Sequence, residues 1–164
     1  LQNISGLMVG KEYEHGGIEN NGAKMVTAVA TTKLPKITVV VGGSFGAGNY
    51  GMCGRAYSPR FMFMWPNAKI SVMGGEQAAD VLVQIKNQQL SKSGENISEK
   101  KLKQLYQETL DAFENESTAY YSTARIWDDG VINPCDTRKI LGLCLESMRF
   151  GDLSNADGFG LFRM

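Results

Sequence analysis

A β-branched run that ends in a cluster of glycines constrains the fold of this chain more than any other feature. The stretch Ile37–Gly54 reads ITVVVGGSFGAGNYGMCG, with six glycines among its last thirteen residues. The apolar run predicts a buried strand of a parallel sheet. Glycines directly after a strand permit a sharp turn and let backbone N–H groups approach a ligand. The stretch therefore predicts a strand, a turn and a helix start beside which a ligand could bind.

The residues before this strand place it in an α/β fold. Residues 1–9 are typical of the end of a buried strand followed by a loop, and residues 10–17 continue as a charged loop. A helix is predicted next, and it ends before Pro35. Strand, helix and strand form a βαβ unit, so the predicted class is α/β. The apolar positions of the helix are Ile18, Met25, Val26, Val29 and Ala30.

The rest of the chain predicts two short strands and several helices. Ser98 is a candidate N-cap of an amphipathic helix, Asp136 is a candidate cap of the last helix, and Asp128-Asp129-Gly130 predicts a turn. Residues 91–96 predict an exposed connector, and residues 151–164 an irregular tail. The strands are predicted at 61–65 and 69–73, and the helices at 47–57, 74–90, from 98, at 117–127 and at 137–150.

Composition argues against several classes of protein. The 164 residues carry 17 Lys+Arg and 17 Asp+Glu, so bulk charge gives no support to nucleic-acid or anionic-membrane binding. No apolar run approaches the roughly 18 residues that a membrane helix requires. Three scattered cysteines favour a reducing compartment, and a single His cannot build a His-rich metal site. The length suits one domain, and the apolar start without Met or a targeting signal is interpreted as the start of an excerpt from a longer protein.

Two side-chain motifs overlap in the glycine-rich stretch, and both lack their required partners. Gly42–Gly46 fits G-x-S-x-G, the turn of a serine nucleophile, but His15 precedes Ser44, whereas α/β-hydrolases place the His after the Ser. Gly46–Gly51 fits the dinucleotide turn G-x-G-x-x-G, but Pro59 cuts the following helix short. Neither motif is therefore the preferred interpretation.

The third interpretation uses the backbone alone. N–H groups where a strand passes into a helix have no intrahelical acceptors and point outward. They would stabilise negative charge that develops on a carbonyl oxygen, and small residues at 46, 47 and 48 would let the ligand approach. A tight strand–helix contact without any ligand remains the alternative.

The residues around this turn resemble a known family. Residues 42–79 closely resemble the carboxyltransferase (β) subunits of biotin-dependent acyl-CoA carboxylases, in particular those of methylcrotonyl-CoA carboxylase, and so do residues 1–30, 120–143 and 159–164. The resemblance implies a crotonase-like α/β fold of repeated ββα units, with two such domains per subunit. Residues 1–164 would then be the C-terminal part of the second, biotin-side domain, which we expect to be inactive as an isolated fragment.

The same resemblance implies a reaction and its site. The family moves CO2 from carboxybiotin to the γ-carbon of 3-methylcrotonyl-CoA in leucine catabolism. Carried onto this sequence, the backbone N–H groups of Ala47 and Gly48 would be the oxyanion donors to the biotin carbonyl, with Phe45, Gly46 and Asn49 in contact with the cofactor. No side-chain base is required, because the biotin anion can take the substrate proton, and no metal is expected in this segment.

Partners and location follow from the family as well. The resemblance implies an acyl-CoA substrate, a biotin-carrying α subunit and a homo-oligomer of β subunits, located in the mitochondrial matrix of a eukaryote or in the bacterial cytoplasm. Asn133 and Cys135 depart from the family pattern, which bears on local packing only, and His15 is expected to be a structural or surface residue. The alternatives are geranyl-CoA or another acyl-CoA as substrate, a non-catalytic crotonase-like assembly module, and a nucleotide-binding oxidoreductase.

Overall fold

The structure is a computed structural model that describes residues 1–93 and 98–149, and the side chains of 91–93 are left out of the description. The described part of the chain contains a four-stranded parallel sheet. Its strands are β1 (Gln2–Ile4), β2 (Ile37–Phe45), β3 (Phe61–Met64) and β4 (Lys69–Ser71).

Strand β2 is hydrogen-bonded along both of its edges. Val40 pairs with Gln2 of β1 and also with Met64 of β3. Ser44 pairs in the same way with β1 and with Ile70 of β4. Strands β3 and β4 therefore follow one another along the edge of β2 that β1 leaves open, and β2 is the centre of the sheet.

Helices surround the sheet and connect its strands. The described residues form α1 (Lys11–His15), α2 (Ile18–Thr31), α3 (Gly46–Gly51), α4 (Gly75–Ser93), α5 (Glu99–Glu116), α6 (Ala119–Ala124) and α7 (Thr137–Met148). Two short 3-10 helices lie at Arg55–Tyr57 and Pro134–Asp136. Helix α2 connects β1 to β2, so the predicted βαβ unit is confirmed.

Two groups of buried side chains hold these layers together. The first joins β2, β3 and the start of α6, and its members are Val40, Met62, Met64, Ala68 and Ala119. The second joins α2 to the residues after α3, through Ala30, Cys53 and Tyr57. The apolar face predicted for the helix before Pro35 is thus partly confirmed, since Val26, Val29 and Ala30 pack inward while Met25 is 38% exposed.

Three predicted segments differ from the structure. The charged loop at 10–17 instead contains helix α1, because Gly10 and Gly17, with φ of 138° and 79°, make the turns that bracket it. Strand β2 continues through Phe45 rather than ending at the glycines, because residues 43–45 pair with β4. Helix α4 runs to Ser93, so the predicted connector at 91–96 begins as helix, and its remainder lies outside the described residues.

The two predicted short strands are present as β3 and β4, whereas the helix predicted at 47–57 is divided into α3 and the 3-10 helix Arg55–Tyr57, and the helix predicted at 117–127 is limited to Ala119–Ala124. Ser98 and Asp136 occupy the N-cap positions of α5 and α7, although neither side chain makes a capping hydrogen bond. The tail at 151–164 lies outside the described residues.

Asp129 joins the end of the α6 segment to the sheet. Its carboxylate accepts two hydrogen bonds from the Arg55 guanidinium, at 3.2 Å and 2.9 Å, and one from the Met62 N–H at 2.7 Å. Burial alone would raise the pKa of Asp129, but these hydrogen bonds and the attraction of Arg55 outweigh burial and lower it. The sequence marks Asp129 only as part of a turn, and its bonds across the fold depend on residues far along the chain.

Asp129→Asn is expected to destabilise the protein at neutral pH and to have little effect at acid pH. A lowered folded-state pKa means that the stabilisation is complete above the ordinary value of 3.8 and is lost as the pH falls through the folded value. Urea midpoints of the two proteins, measured from pH 7 down to about pH 2.5, should therefore converge. Asp80→Asn, at an exposed position on α4, is the matched control. An equal deficit at every pH would contradict this account.

Candidate functional site

The glycine turn passes directly from strand β2 into helix α3. Gly46 has φ of +57°, in the left-handed region that favours glycine, and a β-carbon there would lie 3.1 Å from the Val72 carbonyl oxygen. Ala47 follows and is exposed. The first N–H groups of a helix have no acceptor within it, so the Ala47 N–H has no partner within α3 and can serve a ligand. The predicted strand, turn and helix start are confirmed.

Close packing explains the later glycines of the stretch. A β-carbon on Gly48 would lie 2.5 Å from Ile4 Cδ1 on β1, and one on Gly51 would lie 2.3 Å from Met25 Cε on α2. Helix α3 therefore lies directly against β1 and α2. The tight strand–helix contact considered from the sequence is present at Gly48, while Ala47 is exposed.

A cavity of about 600 Å³ borders the turn. Gly46, Ala47 and Asn49 form one side, and the aromatic rings of Tyr121 and Trp127 form another. These two rings meet edge to face with centroids 5.9 Å apart, and the Arg125 guanidinium lies 3.2 Å from the Tyr121 ring centroid. The cavity thus combines backbone amide donors with an apolar aromatic wall. Its other lining residues are Ser44, Tyr50, Ile70, Ser71, Val72, Phe113 and Glu116.

A strained turn presents Trp127 to this cavity. Ile126 has φ of 59°, which is a true outlier for a β-branched residue. The buried Asp128 carboxylate holds the turn by accepting hydrogen bonds from the Ser122 and Thr123 hydroxyls at 2.5 Å and 2.6 Å, and from the Gly130 N–H at 3.0 Å. Sequence reasoning identified the turn but missed the aromatic wall. The Asp-Asp-Gly motif beside Trp127 was the available signal, since Asp side chains accept hydrogen bonds from turn N–H groups.

Ser44 is a buried hydrogen-bond acceptor rather than a nucleophile. Its side chain is 0% exposed, and its oxygen accepts hydrogen bonds from Gln2 Nε2 at 2.8 Å and from Asn49 Nδ2 at 2.6 Å. His15 lies exposed on α1, and it lines neither the cavity at the turn nor the second one described below. The G-x-S-x-G motif therefore has neither an accessible serine nor a base beside it.

The structure brings together only some of the residues proposed for the site. Gly46, Ala47 and Asn49 line the cavity at the turn, whereas Gly48 is buried against β1. Phe45 instead lines a second cavity, of about 500 Å³, on the α4 side.

The departures from the family pattern lie in a local turn. The Asn133 side chain accepts a hydrogen bond from the Cys135 N–H at 3.1 Å and caps the second 3-10 helix. Neither residue lines the cavity at the glycine turn.

Metal-ligand clusters and membrane-spanning helices were sought among the residues that the structure describes. Over these residues, no group of three or more His, Cys, Asp or Glu side chains could hold a metal ion. Nor do the described helices include one with the length and apolar character needed to span a membrane.

The carboxyl transferase domain model matches residues 1–152. The chain belongs to the carboxyl transferase domain family. The resemblance seen in the glycine-rich stretch is confirmed.

Relatives of this carboxyl transferase domain match it along its whole length. The mitochondrial methylcrotonoyl-CoA carboxylase beta chain of Dictyostelium discoideum is 58% identical over 165 residues, which cover 100% of this chain and 28% of that protein. The biotin-dependent 3-methylcrotonyl-coenzyme A carboxylase beta1 subunit of Mycobacterium tuberculosis is 56% identical, over 100% of this chain and 31% of that protein. The chain thus spans less than a third of the length of these relatives.

Solved structures share the fold of this carboxyl transferase domain. The beta subunit of P. aeruginosa geranyl-CoA carboxylase matches with a TM-score of 0.81 and 42% identity, over 99% of this chain and 30% of that one. The transcarboxylase 12S subunit, described as a hexamer, matches with a TM-score of 0.75 and 30% identity, over 98% of this chain and 30% of that one. The predicted crotonase-like α/β class is confirmed.

A fluorophosphonate probe is expected to leave Ser44 unlabelled. The hydroxyl is buried, and its oxygen already accepts two hydrogen bonds, so no activated alkoxide is available. Mass spectrometry of tryptic peptides after treatment of the native protein measures this directly. Labelling at Ser44 that is lost in Ser44→Ala would contradict the structural role given to this hydroxyl.

Proposed function

We propose that this chain is the biotin-side part of the carboxyltransferase subunit of methylcrotonyl-CoA carboxylase, with residues 1–164 in its second domain. The observation that carries the proposal is that Ala47, an exposed residue in the first turn of α3, lines a cavity together with Tyr121 and Trp127 in a carboxyl transferase domain. The intact subunit would transfer a carboxyl group from a biotin-bound carrier to 3-methylcrotonyl-CoA.

Sequence identity favours the methylcrotonyl substrate over its geranyl rival. The methylcrotonoyl-CoA carboxylase beta chains of three eukaryotes are 56% to 58% identical to this chain, while the geranyl-CoA carboxylase beta subunit is 42% identical over a similar span. The acyl chain is expected to bind chiefly to the acyl-CoA domain of the subunit, so this preference rests on the relatives. A comparison of turnover with the two acyl-CoA substrates tests it.

The cavity at the turn fits the ring system of biotin. Biotin combines an apolar thiophane ring with a polar ureido ring that carries a carbonyl oxygen and two nitrogens, and the cavity is lined by the aromatic residues Tyr121 and Trp127 as well as by Ala47. A β-carbon at position 46 would lie 3.1 Å from the Val72 carbonyl oxygen, in the space beside Ala47. Glycine at this position would therefore leave room for a ligand to approach Ala47. When bound, biotin supplies the carboxyl group and a ureido carbonyl that takes up negative charge.

The chain's own residues would act by orientation and by hydrogen bonding. The N–H of Ala47 would donate to the carbonyl oxygen as charge develops there, and the positive end of α3 would add to this stabilisation. Gly48 is the second proposed donor. It is buried against β1, so a ligand would reach its N–H only from the edge of the turn. The aromatic wall would exclude water beside the reacting group. Phe45 lines the second cavity, so it would not touch the cofactor directly and would act only by shaping the turn.

The remaining partners of the whole protein are part of the same proposal. An acyl-CoA domain, a biotin-carrying α subunit and further β subunits would complete the enzyme, and the isolated chain would be inactive without them. Location would follow the host, in the mitochondrial matrix for a eukaryote, as with the relatives named mitochondrial, and in the cytoplasm for a bacterium.

Ala47→Pro in the intact subunit is expected to lower the rate of carboxyl transfer about 10²–10³-fold. Proline removes the N–H and is tolerated in the first turn of a helix. Position 47 is exposed, whereas a proline at Gly48 would collide with Ile4, so position 47 is the cleaner test. The rate is measured with the biotin-carrying partner and methylcrotonyl-CoA, and the KM for the acyl-CoA should change little.

Ala47→Ser is the matched control, because it changes the side chain and keeps the N–H. Its rate should stay within about threefold of wild type, the scale of one weak hydrogen bond. Full turnover by a folded Ala47→Pro variant would refute the role of this amide. No carboxyl transfer by the intact wild-type complex would favour the assembly-module alternative.

A further inference from the structure

A buried polar cluster lies directly beneath the glycine turn. The Ser44 oxygen accepts hydrogen bonds from Gln2 Nε2 on β1 and from Asn49 Nδ2 on α3. Gln2 and Ser44 are both 0% exposed, and Asn49 is half-buried. We call these three residues the Ser44 cluster. It connects the central strand, its neighbouring strand and the short helix at a single oxygen atom.

The hydrogen bonds of the Ser44 cluster close a loop around the turn. Ser44 is the residue before the end of β2, and Asn49 lies in α3, so the 2.6 Å bond between them spans residues 45–48. The bond from Gln2 fixes the same oxygen to β1, on which Gly48 also packs. A six-residue helix has little stability of its own, so its direction depends on such contacts.

We propose that Gln2, Ser44 and Asn49 are positioning residues, which aim the Ala47 amide at the reacting carbonyl by bracing the turn through the hydrogen bonds at the Ser44 oxygen. The proposal rests on the proposed function. It gives Ser44 of the G-x-S-x-G motif a positioning role instead of a nucleophilic one. Small displacements of a donor cost large factors in rate, so a brace of this kind acts on kcat rather than on acyl-CoA affinity.

Gln2 offers a way to separate activity from stability. Its Oε1 is buried and has no hydrogen-bond partner among the described residues. An unpaired buried acceptor costs stability, so Gln2→Met removes that cost together with the Nε2 donor while keeping a similar volume. The variant is expected to be at least as stable as wild type and yet about three- to tenfold lower in kcat.

Ser44→Ala removes the shared acceptor and leaves two amide donors without it. In the intact subunit with its biotin-carrying partner, kcat for carboxyl transfer should fall about ten- to thirtyfold with an unchanged KM for acyl-CoA. A serine nucleophile would instead be essential, with a loss of roughly 10⁶-fold in the hydrolase precedent. Thermal unfolding of each variant accompanies the kinetics.

Thr38→Val is the matched control on the same strand. Thr38 is buried, and its hydroxyl donates to the Cys53 carbonyl at 2.7 Å, away from the turn. This variant should lose thermal stability while its kcat stays within about twofold of wild type. Equal kcat in Thr38→Val and Ser44→Ala would overturn the proposal, as would wild-type kcat in Gln2→Met.

Two further results separate the cluster from the proposed function. Turnover by the wild type combined with undiminished turnover by Ser44→Ala would overturn the positioning role and leave the carboxyltransferase assignment standing. No carboxyl transfer by the wild type would overturn the assignment itself and this proposal with it. If Ser44→Ala does not fold, Gln2→Met and Thr38→Val decide the matter by the same comparison of kcat with unfolding temperature.

Discussion

The pairing of β2 along both edges is the constraint on which the rest of the structure depends. A strand bonded on both sides has no freedom to shift, so the residue that follows it is fixed in position and direction. Close approach from β1 is possible because Gly42 and Gly43 have no side chains. A β-carbon at Gly42 would meet Asn3 Oδ1 at 2.4 Å, and the Gly43 N–H instead donates to that oxygen at 2.9 Å. The position and direction of the turn at Gly46 are therefore fixed by the pairing of β2.

Two residues with left-handed backbone, Gly46 and Ile126, lie at or next to residues that line the cavity, and each conformation is stabilised differently. At Gly46 the conformation costs little, because glycine has no β-carbon. At Ile126 it costs on the order of 1–3 kcal/mol, and the Asp128 carboxylate offsets the strain through three hydrogen bonds. Both walls of the cavity are therefore set by backbone geometry before any ligand binds. Such preorganisation is what a donor needs in order to stabilise developing charge without rearrangement.

The sequence predicts local structure well here and long-range structure poorly, for physical reasons. The β-branched run, the glycine turn and the helix that follows depend on neighbouring residues, and all were predicted. The predicted length of β2 was wrong, because its glycines stay extended only by pairing with β4, whose paired residues lie 26 positions later in the chain. The aromatic wall at Tyr121 and Trp127 was missed because only the folded sheet brings α6 to the turn. Ser44 and Phe45 line different cavities because successive side chains of a strand point to opposite faces, which a turn prediction at that point conceals.

The type of donor at the turn determines how the proposed reaction would respond to pH. A backbone N–H does not titrate in the range where proteins fold, so the stabilisation that Ala47 supplies is constant across it. Among the described residues that line the cavity, Glu116 is the one carboxylate, and it is exposed, so water screens its charge from the reacting carbonyl. Any pH dependence of carboxyl transfer would then arise from the substrate and the carrier rather than from this turn. A site of this kind needs neither a His base nor a nucleophilic Ser, although the G-x-S-x-G motif is typical of sites that have both. Its specificity would be determined by the shape of the cavity, which depends on the rings of Tyr121 and Trp127 and on the absence of a side chain at position 46.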